Sequence, residues 1–442
     1  MSDMLGIGLS GLRAYSRALA TVGDNIANAQ TPGYTRRTLA LRETPGGSDP
    51  MLTRSHIRPG GVETVGVVRA TDMWLAEEAR LSAGDGERSR LTFEAMGAIE
   101  QALADKNNGI AKGLTALLGT ADALTVDPGN QALRTQFLDN VEQIASGFRT
   151  TADRLDRLGN AATAAATDDV ARLNTDLQAL ENVNAGLRKA RPGSTNEASL
   201  LDDRDRLLGQ LAARLDIAVS FGSRGTVAVR AASSGDQLVG GGTVQPVGLT
   251  VAADGRISYS VGGQPLVPAS GALAGRASAA DRIASERSAV DTAAAIIADR
   301  INTAHQAGFD AGGAPGAALF TGTANAATLT AAALSPANVA AADASRDNGN
   351  MINFAQLRGT GGPQSLWADL MARQGQATAS AKAQSAASTT RREAAEAARD
   401  AVSEVDLDRE AADLLRFQQA YTAAAQTIQV ARETMQALFN AL

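Results

Sequence analysis

The sequence predicts a mainly α protein with β insertions (an α+β fold), in which the terminal helices pair as a coiled coil beside a helical middle domain and a small β domain. Near both ends, apolar residues recur at three- and four-residue spacing, the repeat of a helix with one apolar stripe. Residues 216–268 instead alternate or run apolar between glycine clusters, which is typical of strands. Aromatic residues make up only 3% of the chain, against 44% hydrophobic residues in all, which suits narrow seams between helices.

Composition and charge exclude several function classes. The formal net charge is -6, with 41 Lys and Arg dispersed among 47 Asp and Glu, so we expect no nucleic-acid partner and no membrane-binding patch. The absence of Cys excludes thiolate nucleophiles, disulfides and zinc sites built on Cys. The first ten residues do not resemble a cleaved secretory signal. If the protein leaves the cell, we expect a route that does not read such a signal.

The N-terminal segment is predicted to form a helix from Met4 to about Ala29. Its apolar residues fall on heptad steps at Leu5, Leu9, Leu12, Leu19 and Ile26. The helix is expected to end at Thr31-Pro32-Gly33, because Pro cannot continue a helix and Gly permits a turn.

Glycines near the start of this helix match the pattern of a dinucleotide-binding loop, Gly-x-Gly-x-x-Gly, at Gly6, Gly8 and Gly11. Such a loop needs a preceding strand, and only five residues precede Gly6. We therefore expect no nucleotide site. Because a glycine within a helix costs up to about 1 kcal/mol relative to Ala, we expect these glycines and Gly23 to let another helix approach closely.

The centre of the chain is predicted to contain three kinds of structure. Residues 39–70 have strand-like composition on both sides of a loop rich in Pro and Gly, which indicates a β-hairpin extension. Residues 71–215 and 269–402 carry apolar residues at helical spacing and are assigned to a helical middle domain. Residues 216–268 are assigned to a small β domain with an Asp-Gly hairpin turn at 254–255.

The last forty residues, 403–442, carry the strongest periodic signal in the sequence. The larger residues of the stripe are Leu407, Leu414, Phe417, Tyr421, Ile428, Met435, Leu438 and Leu442. Ser403 and Asp406 are expected to open this helix as a capping box. A stripe on a terminal helix has to pack on another surface, either in its own domain or in another chain.

No residue pattern supports catalysis, a cofactor site or a metal site. His305 is expected to form hydrogen bonds within the fold, because the only other His is distant in sequence. Asp202, Asp203 and Asp205 alternate with arginines, which predicts solvated helical ion pairs rather than a catalytic carboxylate pair. Residues 105–109 begin like a calcium loop, but their glycine comes one residue early and no Glu closes the loop. We therefore predict that the protein is not an enzyme.

The segment Ser10–Arg37 resembles the N-terminal signature of bacterial flagellar axial proteins. That signature runs Ser-Gly-Leu, a helix, Asn-Ile-Ala-Asn and Thr-x-Gly-Tyr. The matching residues are Ser10, Gly11, Leu12, Asn25, Ile26, Ala27, Asn28, Thr31, Gly33 and Tyr34. Rod and hook proteins share this pattern, so it indicates the superfamily alone.

Three further segments narrow the resemblance. Residues 403–442 look like the C-terminal helix of the flagellar hook-associated proteins, most recognisably from Val405 to Tyr421. Residues 301–320, INTAHQAGFDAGGAPGAALF, resemble an internal motif of the hook-associated protein 1 family. GALAGR at 271–276 lies upstream, as that family would place it.

The resemblance implies a structural subunit at the junction between the flagellar hook and filament. It implies export by the flagellar type III pathway, an extracellular location, and a coiled coil of residues 1–38 and 403–442 that forms the inner tube. The β domain at 216–268 is then expected to face outward. The implied partners are further copies of the chain in a helical ring, the hook protein, the third hook-associated protein and an export chaperone.

We expect the terminal segments to form the assembly interface. Its residues are Leu5, Leu9, Leu12, Leu19, Asn25, Ile26, Asn28, Tyr34, Arg36, Arg37, Leu407, Leu414, Phe417, Tyr421, Ile428, Met435 and Leu438. Two interpretations of Arg36 and Arg37 stay open. They face water at a strand start, or they form a salt-sensitive subunit contact with the acidic start of the C-terminal helix. The acids of that segment are Glu404, Asp406, Asp408 and Glu410.

Two alternatives to a junction subunit remain. A hook or rod subunit would share both terminal patterns, but the internal motif at 301–320 argues against it. A cytoplasmic coiled-coil scaffold would explain the heptads and the absence of Cys. It would not explain the Asn-Ile-Ala-Asn and Thr-Pro-Gly-Tyr pair or the β segment.

Overall fold

The computed structural model of the chain describes residues 2–44, 60–104 and 109–440. The helices are α1 (Ser2–Asn28), α2 (Met73–Leu103), α3 (Ile110–Val126), α4 (Gln131–Lys189), α5 (Thr195–Arg214), α6 (Gly271–Gln306), α7 (Gly349–Phe354), α8 (Pro363–Ser403) and α9 (Leu407–Asn440). The strands are β1 (Arg37–Thr44), β2 (Gly61–Arg69), β3 (Ile217–Phe221), β4 (Val227–Ala231), β5 (Gln237–Gly240), β6 (Thr243–Val244), β7 (Val247–Val251), β8 (Ile257–Val261), β9 (Gln264–Leu266), β10 (Phe320–Thr321) and β11 (Thr330–Ala331). The protein is therefore mostly helical with small β sheets, as the sequence predicts.

Three predicted features lie outside the described residues, wholly or in part. They are the hairpin tip within 45–59, the calcium-like segment at 105–108, and Leu442 at the end of the apolar stripe.

The chain forms two compact units. Unit 1 contains Met1–Asp85, Arg172–Val247 and Thr390–Leu442. Unit 2 contains Gly86–Ala171 and Gly248–Thr389. Both terminal helices belong to unit 1, together with the β1–β2 hairpin and α5. The domain limits inferred from the sequence stay predictions.

Helix α1 ends at the predicted turn and leads into the hairpin. Gly33 has a φ of +83°, a left-handed conformation that glycine adopts without strain. Strand β1 then pairs antiparallel with β2, from Arg37 opposite Arg69 to Thr44 opposite Gly61.

Backbone groups of the hairpin contact α1 and the segment that precedes α5. The backbone N–H of Val62 donates to the hydroxyl of Ser10 in α1 (3.2 Å). The backbone N–H of Val67 donates to the carbonyl of Gly193, just before α5 (2.9 Å). There the backbones meet so closely that a Cβ on Gly66 would lie 2.5 Å from Cα of Gly193.

Helices α1 and α9 pack side by side and run antiparallel. Gly8 lies against Ile428 near one end of the pair, and Asn25 contacts Glu410 near the other. A Cβ on Gly8 would lie 2.7 Å from Cγ1 of Ile428. Glycine at position 8 therefore permits the close approach that the sequence predicts, whereas a Cβ on Gly23 would meet no atom within 4 Å.

The buried face of α1 is offset by one residue from the predicted leucine stripe. The buried residues of α1 are Gly8, Ala14, Ala18, Thr21, Val22 and Asn25. Leu5, Leu12 and Leu19 are half-buried, whereas Leu9 and Ile26 are 43% and 40% exposed. Small side chains occupy the contact face because they allow two helices to approach closely, and the leucines lie beside that face.

The segment 216–268, predicted as one small β domain, contains two sheets. The first has the strand order β3-β4-β5-β6 and belongs to unit 1. The second has the order β7-β8-β9 and belongs to unit 2 except for its first residue. Pro246 separates the sheets, since a proline has no N–H with which to continue a ladder. The Asp-Gly turn at 254–255 is confirmed, because it joins β7 to β8 and Gly255 has a φ of +85°.

The core of unit 2 is built around aromatic pairs. Phe137 meets Phe354 edge to face at 5.7 Å between ring centroids, and Phe148 meets Trp367 in the same way at 5.6 Å. Buried aliphatic residues of α3, α4 and α6 surround these rings. This packing suits a core with few but well-placed aromatic residues.

Helix α9 begins later than predicted. Asp406 caps it, since Oδ1 of Asp406 accepts from the backbone N–H groups of Asp408 (3.0 Å) and Arg409 (3.3 Å). Ser403 does not open α9 as a capping box with Asp406. It is the last residue of α8, and its hydroxyl donates to the carbonyl of Arg399 (3.0 Å).

The contact at Gly8 predicts that Gly8→Leu will loosen α1 from α9. Overpacking of this kind costs about 1–3 kcal/mol, so we expect trypsin to cleave after Arg13 and Arg17 in α1 about 5- to 100-fold faster. Gly23→Ala is the matched control, and we expect it to slow cleavage or leave it unchanged, because Ala favours a helix and meets no neighbour. Equal cleavage rates in the two variants would contradict the close approach at Gly8.

Candidate functional site at the terminal helices

Asn25, the first Asn of the Asn-Ile-Ala-Asn motif, makes four hydrogen bonds through one side chain. Its Nδ2 donates to the carbonyl of Arg37 (2.8 Å) and to Oε2 of Glu410 (2.9 Å). Its Oδ1 accepts from the backbone N–H of Arg37 (3.0 Å) and from the hydroxyl of Tyr34 (2.9 Å). The amide is almost completely buried. Because its hydrogen-bonding capacity is used in full, its burial specifies one arrangement of its neighbours.

Glu410, in the first turn of α9, is a fully buried carboxylate. Its Oε1 accepts from Nε of Arg36 at 2.7 Å. Nη2 of Arg36 also lies 3.3 Å from Oδ2 of Asp413. The backbone N–H of Arg36 donates to the carbonyl of Ser403 (2.9 Å). Arg36 therefore holds the start of α9 through its side chain and the end of α8 through its backbone.

A second ion-pair cluster joins the hairpin to α5. Asp202 lies 2.7 Å from both Nη2 of Arg37 and Nε of Arg69. Asp205 lies 2.7 Å from Nη2 of Arg69 and 2.6 Å from Nη2 of Arg204. Each carboxylate is shared by two guanidinium groups, so the cluster links β1, β2 and α5 through charge-assisted hydrogen bonds.

Tyr34, the last residue of the Thr-Pro-Gly-Tyr turn, connects the two clusters. Its hydroxyl donates to Asn25, and the guanidinium of Arg37 lies 4.6 Å from the centre of its ring. Burial raises the pKa of Tyr34 to about 12, against the opposing effect of Arg37. The phenol is therefore neutral at physiological pH and acts as a hydrogen-bond donor.

The interpretation that Arg36 and Arg37 face water is wrong, because their side chains are only 10% and 7% exposed. Of the four predicted acids at the start of the last helix, Glu410 pairs with Arg36, and it does so within one chain. Glu404, Asp406 and Asp408 make no ion pair with Arg36 or Arg37 in the part of the chain that the structure describes. A contact of these arginines with another subunit stays a prediction.

The other predicted interface residues fall into two groups. The half-buried group contains Leu5, Leu12, Leu19, Asn28, Leu414, Phe417, Ile428 and Met435. The exposed group contains Leu9, Ile26, Leu407, Tyr421 and Leu438. Asn28 closes α1, since its Nδ2 donates to the carbonyl of Asp24 (2.8 Å) and its Oδ1 accepts from the hydroxyl of Thr31 (3.3 Å).

The acidic cluster in α5 only partly matches its prediction. Asp203 and Arg206 form a solvated pair at 3.1 Å, as predicted. Asp205 pairs with Arg204 of the same helix, as predicted, and also with Arg69 of the hairpin. Asp202 is buried and pairs with the hairpin arginines, so the prediction of solvated pairing is wrong for it. The three-residue spacing of Asp202 and Asp205 is a sequence signal for this arrangement, because residues three apart lie on the same face of a helix.

His305 has a hydrogen-bonding role in unit 2, as predicted. Its Nδ1 lies 2.6 Å from the carbonyl of Ala317, and its Nε2 accepts from the backbone N–H of Ala340 (2.8 Å). Burial lowers the pKa of His305. A neutral ring with both nitrogens bonded to backbone holds the two loop segments that follow α6.

Among residues 2–44, 60–104 and 109–440, no helix is long and apolar enough to span a bilayer. In the same ranges, no group of three or more His, Cys, Asp or Glu residues could hold a metal ion.

Three family profiles match the chain. The profile described as the flagellar hook-associated protein FlgK helical domain matches residues 96–320, about half of the chain. The profile of the flagella basal body rod protein matches residues 5–35. The profile of the flagellar basal body rod FlgEFG protein C-terminal matches residues 400–441.

Curated relatives named flagellar hook-associated protein 1 are similar to this chain. The relative from Salmonella typhimurium is 26% identical over 333 residues, which cover 72% of this chain and 59% of the relative. The relative from Escherichia coli is 27% identical over 344 residues, covering 72% and 60%. The relative from Bacillus subtilis is 25% identical over 225 residues, covering 50% and 44%. The chain therefore spans about three fifths of the length of the first two.

A solved structure from another bacterium is similar to part of the chain. It is the flagellar hook junction protein FlgK from Burkholderia pseudomallei, with a TM-score of 0.49 and 19% sequence identity. The match covers 55% of this chain and 46% of that protein.

The buried pair predicts a large difference between Arg36, which precedes β1, and Arg42, which lies in β1. Arg36→Ala leaves Glu410 buried without its cation, and breaking a buried pair costs about 3–5 kcal/mol. Arg42→Ala is the matched control, because Arg42 pairs with Glu63 at 2.8 Å on an exposed surface, where such a pair is worth about 0–1 kcal/mol. Urea unfolding followed by circular dichroism measures both. Similar small losses in the two variants would contradict the role of Arg36.

Proposed function

The chain belongs to the FlgK family of flagellar hook-associated proteins, and we propose that it is a structural subunit of the bacterial flagellum that forms the junction between hook and filament. The observation that carries this proposal is the match of the FlgK helical-domain profile to residues 96–320. Matches of rod-protein profiles to both termini agree with an axial protein. Its work is mechanical, since it joins two tubes by offering each a compatible surface.

Self-assembly through the terminal helices is the mechanism that we propose. Within one chain, α1 turns its small residues inward and leaves Leu9 and Ile26 exposed. Helix α9 likewise leaves Leu407, Leu415 and Leu438 exposed. Exposed apolar residues that recur along a helix favour contact with another chain. In this proposal, α1 and α9 pair as a coiled coil within each subunit, and their outer faces contact neighbouring subunits.

Such contacts generate a tube if they do not close on themselves. The outer faces of α1 and α9 differ, so one copy joins the next through unlike surfaces, and a repeated heterologous contact builds a helical array. The partners that we propose are further copies of the chain, the hook protein, the third hook-associated protein and an export chaperone. We propose an extracellular location at the flagellum, reached by the flagellar type III pathway.

A hook or rod subunit is the second candidate, and one observation favours it. The rod-protein profiles match the same terminal segments, 5–35 and 400–441, on which assembly depends in this proposal. The helical domain at 96–320 favours the junction, because it matches the FlgK description.

Deletion of the gene in its source bacterium tests the proposed function. We expect finished hooks without filaments, with flagellin shed into the medium, and we expect the wild-type gene to restore filaments. A gene encoding Leu9→Asp with Ile26→Asp should fail to restore them, whereas Arg42→Glu, an exposed change on β1, should succeed. Electron microscopy and immunoblotting of the medium provide the measurements. Missing or unfinished hooks would assign the protein to the rod or hook, and normal filaments would contradict both assignments.

A further inference from the structure

The start of α2 exposes an apolar face that nothing in unit 1 covers among the described residues. Trp74 is 82% exposed, and Met73 and Leu81 are also more than half exposed. Trp74 and Leu81 are seven residues apart, so they lie on one side of the helix about 10 Å apart along its axis. An exposed Trp beside Leu on a regular helix is typical of a contact surface.

The position of Trp74 is fixed by the helix cap. Oδ1 of Asp72 accepts from the backbone N–H groups of Trp74 (2.8 Å) and Leu75 (3.2 Å). On the opposite side of the helix, Ala79 is buried. The Trp side chain is therefore carried on an ordered turn of helix, and its exposure is a property of the fold.

This face is acidic. Glu77 and Glu78 lie between Trp74 and Leu81 on the same side of α2, and both are exposed. They lie beyond the first turn of the helix, which contains no acidic residue, so the helix dipole does not explain them. We name Trp74, Glu77, Glu78 and Leu81 the acidic tryptophan face.

The outer face of α1 has the complementary character. From Met4 to Gly23, the only charged residues are Arg13 and Arg17. Arg13 is exposed, makes no side-chain hydrogen bond or ion pair among the described residues, and lies one turn after the exposed Leu9. Leu12 lies beside it on the same side of the helix. We name Leu9, Leu12 and Arg13 the basic leucine face.

We propose that the acidic tryptophan face of one subunit docks on the basic leucine face of a second copy of this chain. Within one chain the two faces do not cover each other, because Trp74 is almost wholly exposed. The two faces carry opposite charges, and each also carries apolar side chains. In the proposed contact, Trp74 is buried against Leu9, and Glu77 or Glu78 contacts Arg13. The faces are unlike, so the contact is heterologous and repeats from copy to copy, around a ring or along a helix. This inference rests on the proposed function, and it names the surface that covers the leucine stripe.

Cross-linking in assembled flagella tests the contact. Because the chain contains no Cys, the introduced Cys is the only thiol of each variant that can react. Glu77→Cys and Arg13→Cys variants are produced together in the deletion strain, and isolated flagella are treated with a short bismaleimide. We expect a dimer band from the mixture and none from either variant alone. Arg256→Cys mixed with Arg13→Cys is the control, since Arg256 is an exposed residue of unit 2, and we expect no dimer from it.

Charge reversal supplies a second readout that does not depend on thiols. We expect Glu77→Arg with Glu78→Arg, or Arg13→Glu alone, to lower the number of filaments per cell about tenfold or more, and their combination to recover much of it. Trp74→Ala should lower it as strongly. Circular dichroism of each purified variant checks that the chain still folds.

The outcomes separate this inference from the proposed function. Wild-type flagella that lack the protein would overturn the proposed function, and the inference with it. The inference alone would be overturned if the protein is present at the junction, the cross-link does not form, and the charge reversals leave the number of filaments per cell unchanged. A cross-link from Glu77→Cys to a protein of different mass would also overturn it, because the occupant would then be another flagellar component.

Discussion

The structure of unit 1 depends on a buried carboxylate that is stable only when its partners are in place. Glu410 has no contact with water, and an unpaired charge in such a position costs several kcal/mol. Its partners, Arg36 and Asn25, come from the other end of the chain. The start of α9 therefore has one favourable position, beside the turn that ends α1. Because Asn25 also bonds both backbone groups of Arg37, the same interaction fixes where the hairpin begins.

This constraint explains how an axial subunit can expose a long apolar surface and still have a defined shape. Polar interactions join the two terminal helices at one end, and close packing at Gly8 joins them near the other. Leu9 is exposed on the outer side of α1, and Leu5, Leu12 and Leu19 lie half-buried beside the contact face. In the proposed assembly, neighbouring copies bury the exposed apolar side chains, so the free energy of assembly would come from contacts other than those that pair the two helices.

The sequence predicts the helices well and their contacts less well. Periodicity indicates α1, α6, α8 and α9 because long amphipathic segments have a clear repeat. It misplaces the contact face of α1 by one residue, because hydrophobicity favours Leu9 over Gly8 and Ala18, whereas close packing favours the small residues. Period-two patterning likewise indicates strands but does not say which strands pair, so the two sheets of 216–268 were predicted as one domain.

The ion-pair network could be predicted only in part. Arg36 and the acids after Ser403 are conspicuous in sequence, but which acid is buried depends on how α9 is rotated against α1. The pairs of Arg37 and Arg69 with Asp202 join residues that lie far apart in the chain, and single-sequence patterns carry no signal for such pairs. The resemblance to axial proteins identifies Asn25 and Tyr34 as motif residues, and the hydrogen bond between them gives a physical reason for the motif.

Hydrogen exchange of the dilute monomer, with and without Asn25→Ala, tests most directly whether this network positions the terminal helices. We predict that amides of residues 18–28 and 411–418 exchange slowly in the wild-type chain and that the variant accelerates both segments together, about tenfold for each 1.4 kcal/mol lost. Amides of α3, in unit 2, should not change. Rapid exchange of both segments in the wild type, or acceleration of α1 alone, would contradict the account.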